Sequence, residues 1–260
     1  MPKFNDLDLN NWKEIDLDMN SLWVIPERKK GGKHDNFYHG NFIPQIPEHF
    51  IKRYTKKGGW VFDPFLGSAT TAVECEELGR NIIGVDIQES LVNRAKELIN
   101  SNKINKNFIL GDSRNIQIRN IIDGLLSAYG QEGFDLALLH PPYDDIIKFT
   151  DNKEDLSNCE STQEFYNQFG KVLENTYSLL KKGAYCIVVI GDKYKNSEWI
   201  PLGFGCMNEA QKTGFKLKSV IVKNMEGNRG KSKSGGIWKY RALNSDYYLF
   251  KHEYILVFKK

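Results

Sequence analysis

Between residues 60 and 190, short apolar runs alternate with amphipathic stretches, and that alternation constrains the fold more than any other feature. Apolar runs at 60–62, 81–85, 108–110, 134–139 and 184–190 have strand length, and the near-continuous run at 134–139 suits burial on both faces. Helices are predicted between them. One covers 70–78 and ends at Gly79, a residue able to adopt the left-handed turn that closes a helix. A second covers 90–100, with Leu91, Ala95, Leu98 and Ile99 on one face, and a third covers 116–128. Ser161-Thr162-Gln163-Glu164 is a capping box, and the helix it opens carries Phe165, Phe169, Val172, Leu173, Thr176, Tyr177 and Leu180 at helical spacing. Strands alternating with helices run parallel, because each helix returns the chain to the edge it started from. The predicted class is therefore α/β: a doubly wound, mostly parallel, Rossmann-like sheet. Beyond 190 the pattern changes. Residues 208–213 read as the end of a helix, and 217–222 and 254–258 as two strands with no helix between them, which predicts an antiparallel edge strand.

The 260 residues, 40% hydrophobic and 27% charged, suffice for one domain with a sizeable core, expected over 40–260. Residues 1–39 form a polar lead-in without assigned structure, apart from Leu22-Trp23-Val24-Ile25 as a tethering strand. No apolar run approaches the ~20 residues that span a bilayer. Residues 1–20 lack the apolar core of a secretory leader, so a cytoplasmic location without membrane association is expected. Cys75, Cys159, Cys186 and Cys206 lie far apart and form no C-x-x-C pair, so reduced thiols and no metal site are expected. A net charge of +3 is too small to announce nucleic-acid binding. Its distribution says more: Lys223, Arg229, Lys231, Lys233, Lys239 and Arg241 crowd into one segment, opposed there by Glu226. Such a patch fits either phosphate contact or a solvated loop.

In open α/β sheets, ligands bind beyond the C-terminal ends of the strands. Those ends here carry Asp63-Pro64-Phe65-Leu66-Gly67-Ser68-Ala69-Thr70-Thr71, then Asp86-Ile87, Gly111-Asp112-Ser113, and His140-Pro141-Pro142-Tyr143. The first loop has one glycine rather than G-x-G-x-x-G, and no P-loop occurs, so the site is not built for phosphates. Asp63 suits a positive amino group and Asp86 suits ribose hydroxyls. An amino acid, a ribose and a base together describe S-adenosylmethionine.

At these residues the chain resembles the amino-methylating DNA methyltransferases, which modify cytosine N4 or adenine N6. Their cofactor loop reads D-P-F-x-G-S-G-T-T. Ala69 stands where the family has glycine, a change that fits a position already within the helix. Pro44-Gln45-Ile46-Pro47, followed by Phe50, Ile51 and Arg53, resembles the family's T-Q-K-P segment, which implies contacts from Gln45 and Pro47 to the methionine moiety. The resemblance further implies that Asp63 and the 65–67 backbone hold the methionine end, Asp86 the ribose and Asp112 the adenine amino group. Candidate cofactor residues are thus Gln45, Pro47, Asp63, Pro64, Phe65, Gly67, Ser68, Thr70, Thr71, Asp86, Ile87, Asp112 and Ser113.

His140-Pro141-Pro142-Tyr143 resembles the family's catalytic tetrapeptide, usually Asp, Asn or Ser followed by Pro-Pro and an aromatic. An exocyclic amine is a poor nucleophile because its lone pair is delocalised into the ring. Acceptors that draw its hydrogens out of the ring plane favour a tetrahedral nitrogen and stabilise the transition state. Two prolines fix φ and aim a backbone carbonyl, that of Pro141, as one acceptor. Neutral His140 supplies another, and Tyr143 is expected to stack on a base extruded from the duplex. Methylation at cytosine carbon five needs a cysteine nucleophile that follows a proline in that family, and no Pro-Cys dipeptide occurs here.

The motif order implies a permuted arrangement with no room for a large recognition domain between the third and fourth strands. The segment 223–251 is the candidate target-recognition loop, with Trp238, Tyr240, Tyr247 and Tyr248 among its charges. Candidate DNA contacts are Lys148, Lys223, Asn228, Arg229, Lys231, Lys233, Trp238, Lys239, Tyr240 and Arg241, with Asn228 and Arg229 as base readers. Asp144, Asp145 and Lys148 are expected at the rim. In the family aspartate at the first tetrapeptide position leans to adenine and serine to cytosine; histidine is neither, which leaves a slight lean to cytosine N4. Many relatives act in restriction-modification systems beside a cognate endonuclease. RNA or protein-glutamine methylation, which uses an N-P-P-Y tetrapeptide, and a non-catalytic cofactor- or DNA-binding module are the alternatives.

Overall fold

The computed structural model describes residues 4–34, 40–225 and 235–260, with the side chains of residues 235, 236 and 238 excepted. Strands are β1 Leu22–Trp23, β2 Trp60–Asp63, β3 Asn81–Asp86, β4 Lys106–Leu110, β5 Phe134–Leu139, β6 Leu180–Ile190, β7 Lys193–Lys195, β8 Glu198–Ile200, β9 Lys216–Asn224 and β10 His252–Lys259. Helices are α1 Gln45–Tyr54, α2 Thr70–Leu78, α3 Glu89–Leu98, α4 Ile116–Ala128, α5 Thr162–Leu179, α6 Leu202–Thr213 and α7 Gly235–Leu243. Eight strands make one sheet in the order β1-β9-β10-β6-β5-β2-β3-β4, and β7 and β8 form a separate hairpin.

Local chemistry accounts for the element ends. Gly79 closes α2 at φ 69°, the left-handed conformation that L side chains resist. Ser161 accepts the Glu164 N–H at the start of α5, and the Glu164 carboxylate takes the N–H of Glu160 in return. Ala69 differs from expectation. It precedes α2 at φ 62°, left-handed rather than helical, with its side chain 1% exposed. The glycine preference at this position is therefore conformational, and alanine costs about 1 kcal/mol there.

β2 pairs in parallel with β3 and β5, β3 with β4, and β5 with β6. The expected reversed strand is β10, antiparallel to both β6 and β9. β9 and β1 lie outside it, so the reversal sits within the sheet rather than at its rim. The connection from β9 to β10 also differs from expectation, because it contains α7.

Two apolar cores sandwich the sheet. One packs Phe165, Phe169, Val172 and Leu173 of α5 and Cys206 of α6 against Phe62, Phe134, Val188 and Phe258. The other packs Phe50 and Ile51 of α1, Val73 of α2 and Val92 of α3 against Val61, Ile82, Leu138 and Ile187. The lead-in joins the second core. Leu22 and Trp23 pair in parallel with Val222 and Lys223, and the buried Trp23 ring stacks on Phe50 at 5.7 Å. Arg80 reaches back to Asp6 at 3.1 Å, and His34 Nε2 lies 2.6 Å from Glu74. Among the described residues, no helix is long and apolar enough to cross a membrane.

Candidate active site

Parallel strands deliver their C-terminal ends to one edge, and the loops there enclose a cleft of about 800 Å³, its open mouth included. The loop after β2 supplies Pro64, Phe65, Leu66, Gly67, Ser68 and Thr70 to its wall. β3 supplies Asp86 and the following Ile87, β4 leads to Gly111, Asp112 and Ser113, and β5 leads to His140, Pro141 and Pro142. Phe42, Phe149, Glu154, Asp155 and Leu156 complete the wall.

The cleft is acidic. Asp86, Asp112, Glu154 and Asp155 line it, whereas no lysine or arginine does among the described residues. Such a set of carboxylate acceptors fits a cationic ligand with an apolar body and disfavours phosphate. Asp86 accepts the N–H groups of Gly67 (2.8 Å) and Gln88 (2.9 Å), which tie the cofactor loop to β3. Burial raises its pKa, and those two N–H bonds oppose the rise. Asp63 lies beneath the loop, 2% exposed, accepting the Phe65 N–H at 3.0 Å. Burial pushes its carboxyl up to about 7.

His140 follows the last residue of β5. Its Nε2 lies 3.0 Å from the Tyr143 hydroxyl, and its ring centre lies 4.9 Å from that of Phe42. Burial pushes the imidazole down to about 4, with Glu253 pulling it up and Lys223 pushing it further down. The ring is therefore neutral at ordinary pH and can accept a hydrogen bond. The Tyr143 hydroxyl donates to Glu253 at 2.9 Å, and Glu253 pairs with Lys223 at 2.8 Å.

A family model described as DNA methylase, of the N6/N4 type, matches residues 5–97 and 134–260. The chain belongs to this family of N6/N4 DNA methylases. S-adenosylmethionine is accordingly its cofactor. Among curated relatives, the type II methyltransferase M.MjaII of Methanocaldococcus jannaschii is 42% identical over 82 residues, 29% of this chain and 16% of that protein. M2.LlaDCHI of Lactococcus lactis subsp. cremoris is 34% identical over 86 residues, 32% of this chain and 30% of that protein. These alignments thus span less than a third of either relative. Solved structures share the fold. TrmN from Thermus thermophilus superposes with a TM-score of 0.54 at 17% identity, covering 85% of this chain and 50% of that one. A methyltransferase from Pyrococcus furiosus gives 0.51 at 16% identity, covering 84% and 83%.

Not every residue expected at the site of this N6/N4 methylase reaches the cleft. Pro64, Phe65, Gly67, Ser68, Thr70, Asp86, Ile87, Asp112 and Ser113 line it, while Asp63, Thr71, Gln45 and Pro47 do not. Gln45 bonds the lead-in instead, accepting from Lys29 N–H and donating to the Glu27 carbonyl. Pro47 is buried in α1. Asp112 is engaged by Arg114, whose Nε and Nη2 lie 2.9 and 2.7 Å from one carboxylate oxygen. Arg114 in turn bonds Gln168 and the Glu154 carbonyl. Asp112 and Ser113 fall in the stretch between the two parts of the family match.

Three expectations, at Tyr143, at Lys223 of β9 and at Asp144, are corrected. Tyr143 packs against Gly191, where even a Cβ would come within 2.8 Å of its ring, and it is not among the residues lining the cleft, where it was expected to stack on a base. Lys223 is 6% exposed and ion-paired, so it does not face phosphate. Asp144 likewise leaves the rim. It is 1% exposed with φ 52°, and binds Thr162 and Lys193. Asp145 takes Lys193 and Lys195, whose bonds hold its carboxyl down at about 2. This network clamps the tetrapeptide's flank to the β7–β8 hairpin. Lys148 is at the surface, 2.9 Å from Asp151. Lys239, Tyr240 and Arg241 are exposed on α7. Asn228, Arg229, Lys231 and Lys233 and the Trp238 side chain lie outside the described residues.

Phe42, Phe149, Glu154 and Asp155 were not foreseen. They lie on irregular segments without periodicity, and the only local signal is Asp155 capping Ser157 at 2.8 Å.

Proposed function

We propose that the protein transfers a methyl group from S-adenosylmethionine to the exocyclic amino group of a DNA base, with cytosine N4 ahead of adenine N6. One observation carries this reading: His140 and Pro141 share a single acidic cleft with the 64–70 loop. When bound, the cofactor would supply an electrophilic methyl group on a sulfonium; its transfer to the amine nitrogen would release the thioether S-adenosylhomocysteine and one amine proton to solvent. The chain supplies the rest. Acidic residues of the cleft suit the cofactor's positive charge, and Asp86 holds the ribose while its carboxylate braces the loop through Gly67. Neutral His140 and the Pro141 carbonyl accept the two amine hydrogens and draw them out of the base plane. Phe42, against the His140 ring, is placed to stack on the base in the role first given to Tyr143. A base in a duplex must leave the stack to reach this depth. Lys148 and the α7 residues Lys239, Tyr240 and Arg241 are then the DNA contacts. The relatives M.MjaII and M2.LlaDCHI are type II methyltransferases, which supports a role in restriction-modification, and a cognate endonuclease is the partner such a role would call for.

The test incubates purified protein with S-adenosylmethionine and unmethylated mixed-sequence DNA, then identifies nucleosides by mass spectrometry. N4-methylcytosine or N6-methyladenine is expected. Cofactor binding with no methylated nucleoside would redirect the reading to RNA or protein as substrate, or to a binding module.

A further inference from the structure

Behind the cleft wall, four side chains form one hydrogen-bonded line. His140 Nε2 lies 3.0 Å from the Tyr143 hydroxyl, which donates to Glu253 Oε2 at 2.9 Å. Glu253 Oε1 takes Lys223 Nζ at 2.8 Å, and Lys223 also bonds the Asn224 carbonyl at 2.7 Å. Both members of the ion pair are buried. A phenol has a single hydrogen. An ion-paired carboxylate has none to give, so the phenol hydrogen points at Glu253 and the phenol oxygen offers its lone pair to His140. Nε2 must then carry a hydrogen, and a neutral imidazole so protonated keeps its lone pair on Nδ1. Among the described residues no group bonds Nδ1, and His140 forms part of the cleft wall.

We propose that Glu253 is a positioning residue: through the Tyr143 hydroxyl it holds His140 as the Nε2–H tautomer and so keeps Nδ1 as the acceptor for the substrate amine. The inference rests on the role of His140 proposed above. The need is specific to histidine. An asparagine or aspartate at this position presents an oxygen acceptor whatever surrounds it, whereas an imidazole accepts through only one of two nitrogens. The device also explains why a lysine and a glutamate are buried on neighbouring strands beside the tetrapeptide. Their register partnership, Glu253 opposite Lys223, fixes the carboxylate where the phenol can reach it.

The experiment labels histidine with ¹⁵N, assigns the His140 resonances by their loss in His140→Asn, and reads the tautomer from the ring-nitrogen shifts. DNA methylation rate and cofactor affinity are measured in parallel. In the unaltered protein, Nε2 is expected protonated and Nδ1 not. In Glu253→Gln, Lys223 retains the amide oxygen, so the amide nitrogen donates to the phenol. The phenol hydrogen then turns to Nε2, and the ring hydrogen moves to Nδ1. The expected result is an inverted tautomer and a methylation rate lower by about 100-fold, with cofactor affinity unchanged. A native ring protonated at Nδ1 overturns the proposal. So does a Glu253→Gln protein that is slowed while His140 keeps its Nε2 hydrogen, because the effect would then be structural. If that variant fails to fold, Tyr143→Phe reads the same device: appearance of the Nδ1–H form supports it, and an unchanged single tautomer sinks it. Tautomer inversion in a protein that methylates no DNA would uphold the relay while removing the proposed reaction.

Discussion

At His140 the chemistry rests on one lone pair, and its availability sets the pH dependence. Burial places the imidazole at about 4 against an ordinary 6.5, so the neutral, accepting form persists well below neutrality. The methylation rate should stay level between about pH 8 and about pH 5 and fall only as pH approaches the folded value. His140→Asn should keep most of the rate and abolish that acid limb in a pH–rate profile; an unaltered limb would assign it to another group. Asp63 is the opposite case. Its folded value of about 7 lies above the ordinary 3.8, so the folded state favours the neutral carboxyl. Stability from this group is complete below the ordinary value and is lost as pH rises through the folded one. Asp63→Asn, which mimics the neutral form, should therefore raise the melting temperature of the ligand-free protein at pH above about 7. The gain, on the order of a few kcal/mol, should vanish near pH 4. A pH-independent gain would point to packing instead.

At the scale of elements, helix ends and short connections carry the functional load. Ala69 joins β2 to α2 in a left-handed conformation with a buried side chain. Ala69→Gly should relieve that strain and add about 1 kcal/mol of stability in denaturant titration. A loss instead would mean that the methyl group's packing outweighs the backbone cost. Helix α7 interrupts what sequence patterning read as a loop, because its nine residues show no amphipathic stripe, and Ile237, Tyr240 and Leu243 are all exposed. A helix polar and apolar all round, with those three side chains exposed, suits a surface that meets a partner. Lys239→Ala should weaken DNA binding evenly across sequences and reduce the dependence of log affinity on log salt by about one. An unchanged salt slope in fluorescence-anisotropy titrations would place the phosphate contacts elsewhere.

For the whole molecule, the lead-in is a structural strap. β1 extends the sheet beyond β9, and Trp23 seals the core formed by α1. Trp23→Ala should cost roughly 3 kcal/mol and make the lead-in the first site of cleavage in limited proteolysis. Cleavage elsewhere first would mean that the strap is held by the contacts of Asp6 with Arg80 and of His34 with Glu74 instead.

The sequence by itself determined what depends on near neighbours. Periodicity located β5, α2 and α4 to the residue, the capping box located α5, and the Asp63–Thr71 loop and His140-Pro141-Pro142 marked the two halves of the cleft. These signals are local, since a strand, a cap or a tight turn is legible within ten residues or so. Only the tertiary structure decided which way the tetrapeptide's side chains turn. Tyr143 faces inward because Glu253, 110 residues away, is brought beside it when β10 inserts between β6 and β9. Lys223 reads as one more surface cation until the register of β9 on β10 buries it opposite that same glutamate. Asp112 reads as a free carboxylate until the fold lets Arg114 bridge it to Gln168 of α5. For Tyr143 and Lys223 the deciding partner, Glu253, is distant in sequence, and strand order and register bring the groups within hydrogen-bonding distance; Arg114 is a near neighbour of Asp112, and what the fold adds there is the distant Gln168 that anchors it.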